Sequence, residues 1–76
     1  MLKIKDNVDL KELEKFDYLD MGNCYQKYGN WGVRMYVNKE TREITRLHPY
    51  STRENPNEEE VFDLIEAGLV EKVSDK

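Results

Sequence analysis

The stretch that decides the fold is "NWGVRMYVNKETREITRL", residues 30–47. Apolar and polar residues alternate along it, which is typical of strands with one buried face and one exposed face. The residues that would face the core are Val33, Met35 and Val37. Arg34 and Tyr36 would then face outwards. The pattern predicts strands over 31–37 and 44–47, joined by a loop of about four residues built on a type I turn.

The register of this hairpin depends on which apolar residues lie opposite each other. We take Met35 to lie opposite Ile44 on the inner face. The outer pairs would then be Tyr36 with Glu43 and Arg34 with Thr45. Arg46 would lie on the inner face opposite Val33, an awkward place for a charge unless its aliphatic stem covers the edge of the sheet.

The segments before the hairpin predict a strand, a short helix and another strand. "MLKIK", residues 1–5, would open the chain as a strand. Asp9 can cap a helix over residues 10–16, and Glu12, three positions later, completes the pattern of a capping box. "CYQKY", residues 24–28, alternates loosely and predicts a short strand with a loop on each side.

The segment after the hairpin predicts a second helix and a last strand. Asn57 is placed to cap the helix, with Glu60 again in the capping-box position. Its buried face would consist of Val61, Phe62, Leu64 and Ile65. Gly68 would end the helix in the left-handed conformation, with Leu69 as the hydrophobic contact of a Schellman motif. "LVEKV", residues 69–73, would then add an edge strand.

Together these elements predict one α+β domain that spans residues 1–76. The architecture would be a small antiparallel sheet with a central β-hairpin and two short helices packed on one face. A chain of this length buries only about 60–65% of its unfolded surface, so the core has room for one layer of packing. A buried catalytic cleft with a lid would be hard to build from so little chain.

Composition narrows the class of protein. The chain is 38% hydrophobic and 37% charged, which is typical of a folded globular protein. No apolar run approaches the roughly 18–20 residues of a membrane span, and the first ten residues lack the apolar core of a signal peptide. Cys24 is the only cysteine, which fits a reducing compartment. We therefore expect a cytoplasmic protein without membrane contact.

The residue types needed for chemistry are few. Cys24 and His48 are the only candidates for a thiol–imidazole pair, and nothing in their spacing brings them together. One cysteine and one histidine are too few for a typical zinc site. The acidic run at residues 58–60 is accounted for by the positive end of the helix dipole. We predict no enzymatic activity, no metal and no cofactor.

The net charge of −4 hides a change of sign along the chain. Residues 1–25 carry four lysines and six acidic residues, and residues 54–76 carry two lysines and eight acidic residues. Residues 26–53 carry six basic and two acidic residues and include all four arginines. Such a basic centre can attract a polyanion, or it can pair with the acidic ends when the chain folds.

Three segments resemble small proteins encoded by phages and prophages of Firmicutes. They are "LKIKDNVDLKELEKFDY" (2–18), "YVNKETREI" (36–44) and "DLIEAGLVEKV" (63–73). These segments consist of helix caps and apolar stripes that face the core. The resemblance therefore implies a shared fold and does not identify an activity. It also implies a phage or prophage origin and a location in the bacterial host cytoplasm.

These observations predict an accessory protein that acts by contact with another macromolecule. The predicted contact surface is the outer hairpin face, with Trp31, Arg34, Tyr36, Arg42 and Tyr50. Tyrosine, tryptophan and arginine are enriched at the hot spots of protein interfaces. The partner would be a host or phage protein, and a homodimer formed through an exposed sheet edge is a further prediction.

Two alternatives rest on charge. The basic block, residues 26–53, combines arginines with aromatic residues, as a single-strand nucleic-acid binder requires. Against this alternative, the sequence pI is about 5.0, whereas nucleic-acid-binding domains usually exceed about 9. The other alternative is that the acidic segment 54–60, with Asp63, Glu66 and Glu71, mimics nucleic acid and inhibits a host protein. A solvated helix face explains the same residues.

Overall fold

The computed structural model describes residues 2–29, 32–48, 56 and 58–73. The strands in this part of the chain are β1 (Leu2–Ile4), β2 (Leu19–Asp20), β3 (Cys24–Tyr28), β4 (Arg34–Asn38), β5 (Ile44–Leu47) and β6 (Val70–Lys72). The helical elements are a first helix of 3-10 type (Leu10–Phe16), a 3-10 turn (Glu58–Val61) and α1 (Phe62–Glu66). The predicted α+β class is thus confirmed at this coarse level.

The strands form two antiparallel sheets, whereas the sequence predicted one. One sheet has the order β2-β3-β4-β5, and the other consists of β1 and β6. All three residues of β1 pair with β6, and among the described residues one isolated bridge, between Lys3 and Glu43, connects β1 to the residue before β5. A hydrogen bond of 2.9 Å from the Ile4 N–H to the Arg42 carbonyl reinforces that bridge. The smaller sheet therefore abuts the beginning of β5.

The register of the central hairpin differs from the predicted register by two residues. Val37 lies opposite Ile44, and Met35 lies opposite Arg46. The predicted pairs Met35–Ile44, Tyr36–Glu43 and Arg34–Thr45 are wrong, and the observed outer pairs are Tyr36–Thr45 and Arg34–Leu47. A shift of two residues leaves every side chain on its predicted face, because the side-chain period of a strand is two.

The turn of the hairpin explains the shifted register. Asn38 Oδ1 accepts hydrogen bonds from the backbone N–H groups of Glu40 (2.7 Å) and Thr41 (3.0 Å), so Asn38 is held at the start of the turn. Arg42 adopts a left-handed conformation (φ 67°), and its N–H donates to the Asn38 carbonyl at 2.8 Å. The connection thus has four residues, 39–42, and the first strand of the hairpin ends at Asn38, one residue later than predicted, whereas the second begins at Ile44 as predicted.

The first helix begins at the predicted cap. Asp9 Oδ1 accepts a hydrogen bond from the Lys11 N–H at 3.0 Å. Glu12 forms an ion pair with Lys15 at 3.0 Å, so its carboxylate does not complete a capping box. The helix ends at Asp17, which is left-handed (φ 70°) and donates its N–H to carbonyls of the last turn.

The second helical segment buries a narrower face than predicted. Val61 and Leu64 are fully buried, and Ile65 is half-buried. Phe62 was predicted to be buried, but 57% of it is exposed. The reason is the spacing of the residues: Leu64 and Ile65 lie three and four positions after Val61 and share its face, whereas Phe62 follows Val61 directly and lies to the side of that face. The predicted cap at residue 57 lies outside the described residues.

The predicted end of this segment is confirmed. Gly68 is left-handed (φ 78°), and its N–H donates to the Ile65 carbonyl at 3.0 Å. The Leu69 N–H donates to the Leu64 carbonyl at 3.1 Å. These two hydrogen bonds are those of a Schellman motif. The chain then leads directly into β6.

Within the part of the chain that the structure describes, a hydrophobic core cluster connects the two sheets with the helical elements. Its buried residues are Leu2, Ile4, Leu13, Tyr18, Tyr25, Met35, Val37, Ile44, Val61 and Leu64. Arg46 is also buried on the inner side of the larger sheet, as its alternation predicted, and its Nε donates to Glu60 Oε2 at 3.0 Å. The packing of both helices on one face of the sheet stays a prediction.

Candidate functional site

The candidate site is the side of the β2–β5 sheet that faces away from the core, here called the outer face. Residues that point to this side are every second residue of each strand, because side chains alternate across a sheet. Cross-strand pairing sorts them into three rows. The rows are Tyr28–Arg34–Leu47, then Leu19–Gln26–Tyr36–Thr45, then Cys24–Asn38–Glu43.

The first row is exposed and largely apolar. Tyr28 is 61% exposed and Leu47 is 53% exposed, and Arg34 lies between them. The Arg34 Cζ lies 5.0 Å from the centroid of the Tyr28 ring, a cation–π contact that holds both side chains over the sheet. Leu19, in the next row, is 57% exposed. Several large apolar groups on one face differ from the scattered single residues that are ordinary on a protein surface.

The middle of the outer face contains one of the predicted contact residues. Tyr36 is half-buried and lies between Gln26 and Thr45. Gln26 is buried even though it points away from the core. This central row is therefore more closely covered than the row that contains Arg34.

The third row borders a shallow depression at the turn end of the hairpin. The depression has a volume of about 630 Å³. Its lining residues are Gly22, Asn23, Cys24, Tyr36, Asn38, Lys39, Glu40, Glu43 and Thr45. The two glutamates give this end of the outer face an acidic rim, whereas Arg34 makes the other end basic.

Lys39, the cation beside the depression, is engaged by a carboxylate. Its Nζ lies 2.7 Å from Asp20 Oδ1 and 5.1 Å from the centroid of the Tyr25 ring. The hydrogen bond from Lys39 lowers the pKa of the Asp20 carboxyl below its ordinary value, and the same bond raises the pKa of the Lys39 ammonium. The acidic character of this end therefore comes from Glu40 and Glu43.

The side chain of Arg42, another predicted contact residue, forms hydrogen bonds within the fold. Its Nη1 donates hydrogen bonds to the carbonyls of Lys5 (2.7 Å) and Val8 (2.6 Å), between β1 and the first helix. Its own carbonyl accepts the Ile4 N–H. Arg42 thus fastens the amino-terminal segment to the hairpin turn, and its contribution to partner binding stays a prediction.

The five predicted contact residues thus have different positions. Arg34 and Tyr36 share the outer face, as predicted. Trp31 and Tyr50 lie outside the described residues. Sequence reasoning missed Tyr28 and Leu47, which flank Arg34 in its row. The signal for Tyr28 was the alternation of "CYQKY", which places its last residue on the same face as Cys24.

Several charged residues of the basic block and of the acidic segment form ion pairs in the fold. From the basic block, Lys27 pairs with Asp63 at 3.3 Å and Arg46 pairs with Glu60 at 3.0 Å. Glu58, in the acidic segment, pairs with Lys72 at 2.9 Å. The basic centre and the acidic segment thus neutralise each other in part, which removes charge that either alternative function would use.

Cys24 and His48, the two candidates for a catalytic thiol–imidazole pair, lie at opposite ends of the outer face. Cys24 is in the row at the turn end of the outer face, whereas His48 follows Leu47 at the opposite end. The two rows are four positions apart along the strand, which is roughly 13 Å. Within the described residues, no group of three or more histidine, cysteine or acidic side chains is placed to hold a metal ion.

In the part of the chain that the structure describes, no helix is both long and apolar enough to cross a membrane. Comparisons with protein-family models, with curated proteins and with solved structures found no match to the chain. The candidate site is therefore described by its geometry: a sheet face with an exposed aromatic and basic end, a more closely covered central row, and an acidic, concave end.

Proposed function

We propose that this protein is a non-enzymatic interaction module that binds a protein partner through the outer face of the β2–β5 sheet. The observation that supports the proposal is the exposed row of Tyr28, Arg34 and Leu47 beside the half-buried Tyr36. Aromatic and arginine side chains bury large contact areas, and their removal from interfaces is costly. A sheet face also provides a rigid platform, so little conformational entropy is lost on binding.

The distribution of charge favours a protein partner over a nucleic acid. Arg34 lies at one end of the outer face, and Glu40 and Glu43 lie at the other, about 13 Å away. A phosphate backbone that followed the strands would meet the two glutamates, which repel it. A protein surface can instead offer an acidic group to one end and a basic group to the other.

A bacterial host or phage protein is the predicted partner, in the host cytoplasm. This part of the proposal rests on the resemblance to phage and prophage proteins and on the single cysteine. Association through a sheet edge stays a separate prediction that involves different atoms, since it uses backbone groups of an outer strand and not the side chains of the outer face.

The test is affinity capture from a Firmicutes lysate with a tagged protein, in the presence of nuclease and at moderate salt. The variant that removes the proposed contacts combines Arg34→Ala with Tyr36→Ala. The matched control combines Lys11→Ala with Phe62→Ala, which also removes one basic and one aromatic group, each exposed and each on a helical element. Circular dichroism and thermal unfolding verify that each variant is folded.

We expect the wild type and the control to retain the same partner protein, and the double variant on the outer face to lose it. Equal retention by both double variants would refute the proposed surface. Retention that disappears with nuclease, and that falls steeply with salt, would favour the basic block as a nucleic-acid site instead. Unfolding of the outer-face variant would show that these two side chains serve the fold, and the proposal would then be wrong.

A further inference from the structure

We infer that the outer face also binds a second copy of this chain, in a two-fold symmetric dimer with the strands of the two copies antiparallel. This inference rests on the proposed function, because it uses the same surface, and it adds the identity of one partner. The self-complementary layout of charge and shape about the central row carries the argument.

The rows of the outer face are arranged symmetrically about Tyr36. Arg34 lies two residues before Tyr36 on β4, and Asn38, which is paired with Glu43, lies two residues after it. Each step of two residues is roughly 6.6 Å along the strand. A two-fold axis that runs along the Tyr36 row, between the two sheets, reverses the strand direction of the second copy. Arg34 of each copy then lies over the row that contains Glu43 of the other.

Shape follows the same symmetry as charge. The row that contains Arg34 carries the exposed side chains of Tyr28 and Leu47. The opposite row borders the depression of about 630 Å³. The same axis places the projecting row of one copy against the depression of the other, twice per dimer. An isologous interface requires this relation, in which a patch is complementary to itself after a two-fold rotation.

The alternative two-fold arrangement is disfavoured by charge. An axis parallel to the strands would leave the rows in the same order, so that the Arg34 side chains of both copies lie in one row and the Glu43 side chains lie in another. Like charges across an interface oppose association, and opposite charges set the orientation. The antiparallel arrangement is the one that pairs the basic end of each copy with the acidic end of the other.

The size of the outer face limits the expected affinity of the dimer. Four strands lie about 4.8 Å apart. The strands β3 and β4 have five residues, β5 has four and β2 has two, so the face measures at most roughly 19 by 17 Å. In projection this is at most about 320 Å² per copy, which is less than the roughly 800 Å² per partner of a standard interface, so the dimer should be weak. We expect half-association in the range of tens to hundreds of micromolar. Because the same face binds the proposed partner, a partner of higher affinity would displace the second copy.

The experiment is a charge exchange followed by sedimentation velocity and NMR diffusion, from about 10 μM to about 1 mM of the full chain. Arg34→Glu makes both ends of the outer face acidic, and Glu43→Arg makes both ends basic. We expect each variant alone to associate at least roughly tenfold more weakly than the wild type. A 1:1 mixture of the two variants should regain association of wild-type strength, because the acidic ends of one chain meet the basic ends of the other.

Lys11→Glu is the control for the change in net charge, since Lys11 is exposed on the first helix. It should leave the association unchanged. A monomeric wild type at about 1 mM, an equal effect of Lys11→Glu, or a mixture that does not recover would each overturn the dimer. Circular dichroism of every variant verifies the fold.

The two proposals fail in different ways. If the wild type is monomeric while Arg34→Glu still abolishes capture of the partner protein, the dimer is wrong and the proposed function stands. If the charge exchange behaves as expected while outer-face variants retain the captured partner, the dimer stands and the proposed function is wrong.

Discussion

Replacement of Arg42 by alanine tests how the amino-terminal segment is fastened to the hairpin turn. The change removes the hydrogen bonds from Nη1 to the carbonyls of Lys5 and Val8, at 2.7 and 2.6 Å. Hydrogen bonds from a charged donor each contribute about 1.5–3 kcal/mol when they are buried. Arg42 is only half-buried, so water can replace part of each bond. We therefore expect the free energy of unfolding to fall by about 2–3 kcal/mol for the pair.

A second variant separates the side chain from the backbone. Arg42 has φ 67°, a left-handed conformation that costs a residue with a Cβ atom roughly 1–2 kcal/mol. Alanine keeps this cost, whereas glycine does not. Arg42→Gly loses the same hydrogen bonds, but it should be more stable than Arg42→Ala by about 1 kcal/mol. The comparison is made at one position and so leaves the surroundings unchanged.

Urea unfolding followed by far-ultraviolet circular dichroism measures these differences. A domain of this size is expected to have about 4–11 kcal/mol of stability, so a loss of 2–3 kcal/mol is a large fraction. It corresponds to a fall in Tm of roughly 10–20 °C. Amide exchange at Ile4 should also become faster, because its N–H donates to the Arg42 carbonyl. A loss below about 0.5 kcal/mol in Arg42→Ala, within the range of ordinary surface substitutions, would refute the fastening role. If Arg42→Gly is no more stable than Arg42→Ala, the cost assigned to the left-handed backbone conformation at this position is refuted.

Three further predictions concern single contacts. Glu60→Ala should lower the free energy of unfolding, measured in urea, by about 1–3 kcal/mol, because it removes the carboxylate that accepts the hydrogen bond from the Nε of buried Arg46 at 3.0 Å; an unchanged stability would contradict this. Gly68→Ala should cost about 1 kcal/mol through its positive φ alone, since a Cβ there would meet no atom within 4 Å; a neutral effect would contradict this. The hydrogen bond from Lys39 lowers the pKa of Asp20, so this pair stabilises the fold above the unfolded-state pKa of Asp20, and the stabilisation is lost as the pH falls through the folded-state pKa. In Asp20→Asn, the free energy of unfolding in urea should therefore depend less on pH in the acidic range. An unchanged pH dependence would contradict the pairing.

The features that could be predicted from the sequence depend on contacts within a few residues. The cap at Asp9 and the helix end at Gly68 were both predicted, because the groups they bond lie two to five positions away. The bounds of β5 were also predicted, since alternation defines a strand without reference to its neighbours. The inner position of Arg46 followed from the same alternation, even though its partner Glu60 could not be named.

The features that could not be predicted depend on choices between near-equal local alternatives or on distant partners. The register followed from Asn38 closing the turn and Arg42 adopting a positive φ, and neither residue type is required at its position. The pairing of β1 with β6 joins the two ends of the chain, and the alternation of a three-residue strand does not identify its neighbour. Exposure of Phe62 depended on which face of a short helical segment meets the core.

The described arginines of the basic block have different positions that composition alone does not distinguish. Arg46 is buried and paired, Arg42 bonds backbone carbonyls of the amino-terminal segment, and Arg34 is exposed against an aromatic ring. Their roles follow from position relative to the hairpin turn: Arg46 faces the core by alternation, Arg42 ends the turn, and Arg34 faces outwards at the far end of β4. The three described arginines of the block therefore make separate contributions to the fold, and among them Arg34 is the one that is exposed to a partner. Because that one lies opposite an acidic rim on the same face, its most complementary counterpart is a surface with the reverse order of charge. A second copy of the chain presents that order when its strands run in the opposite direction.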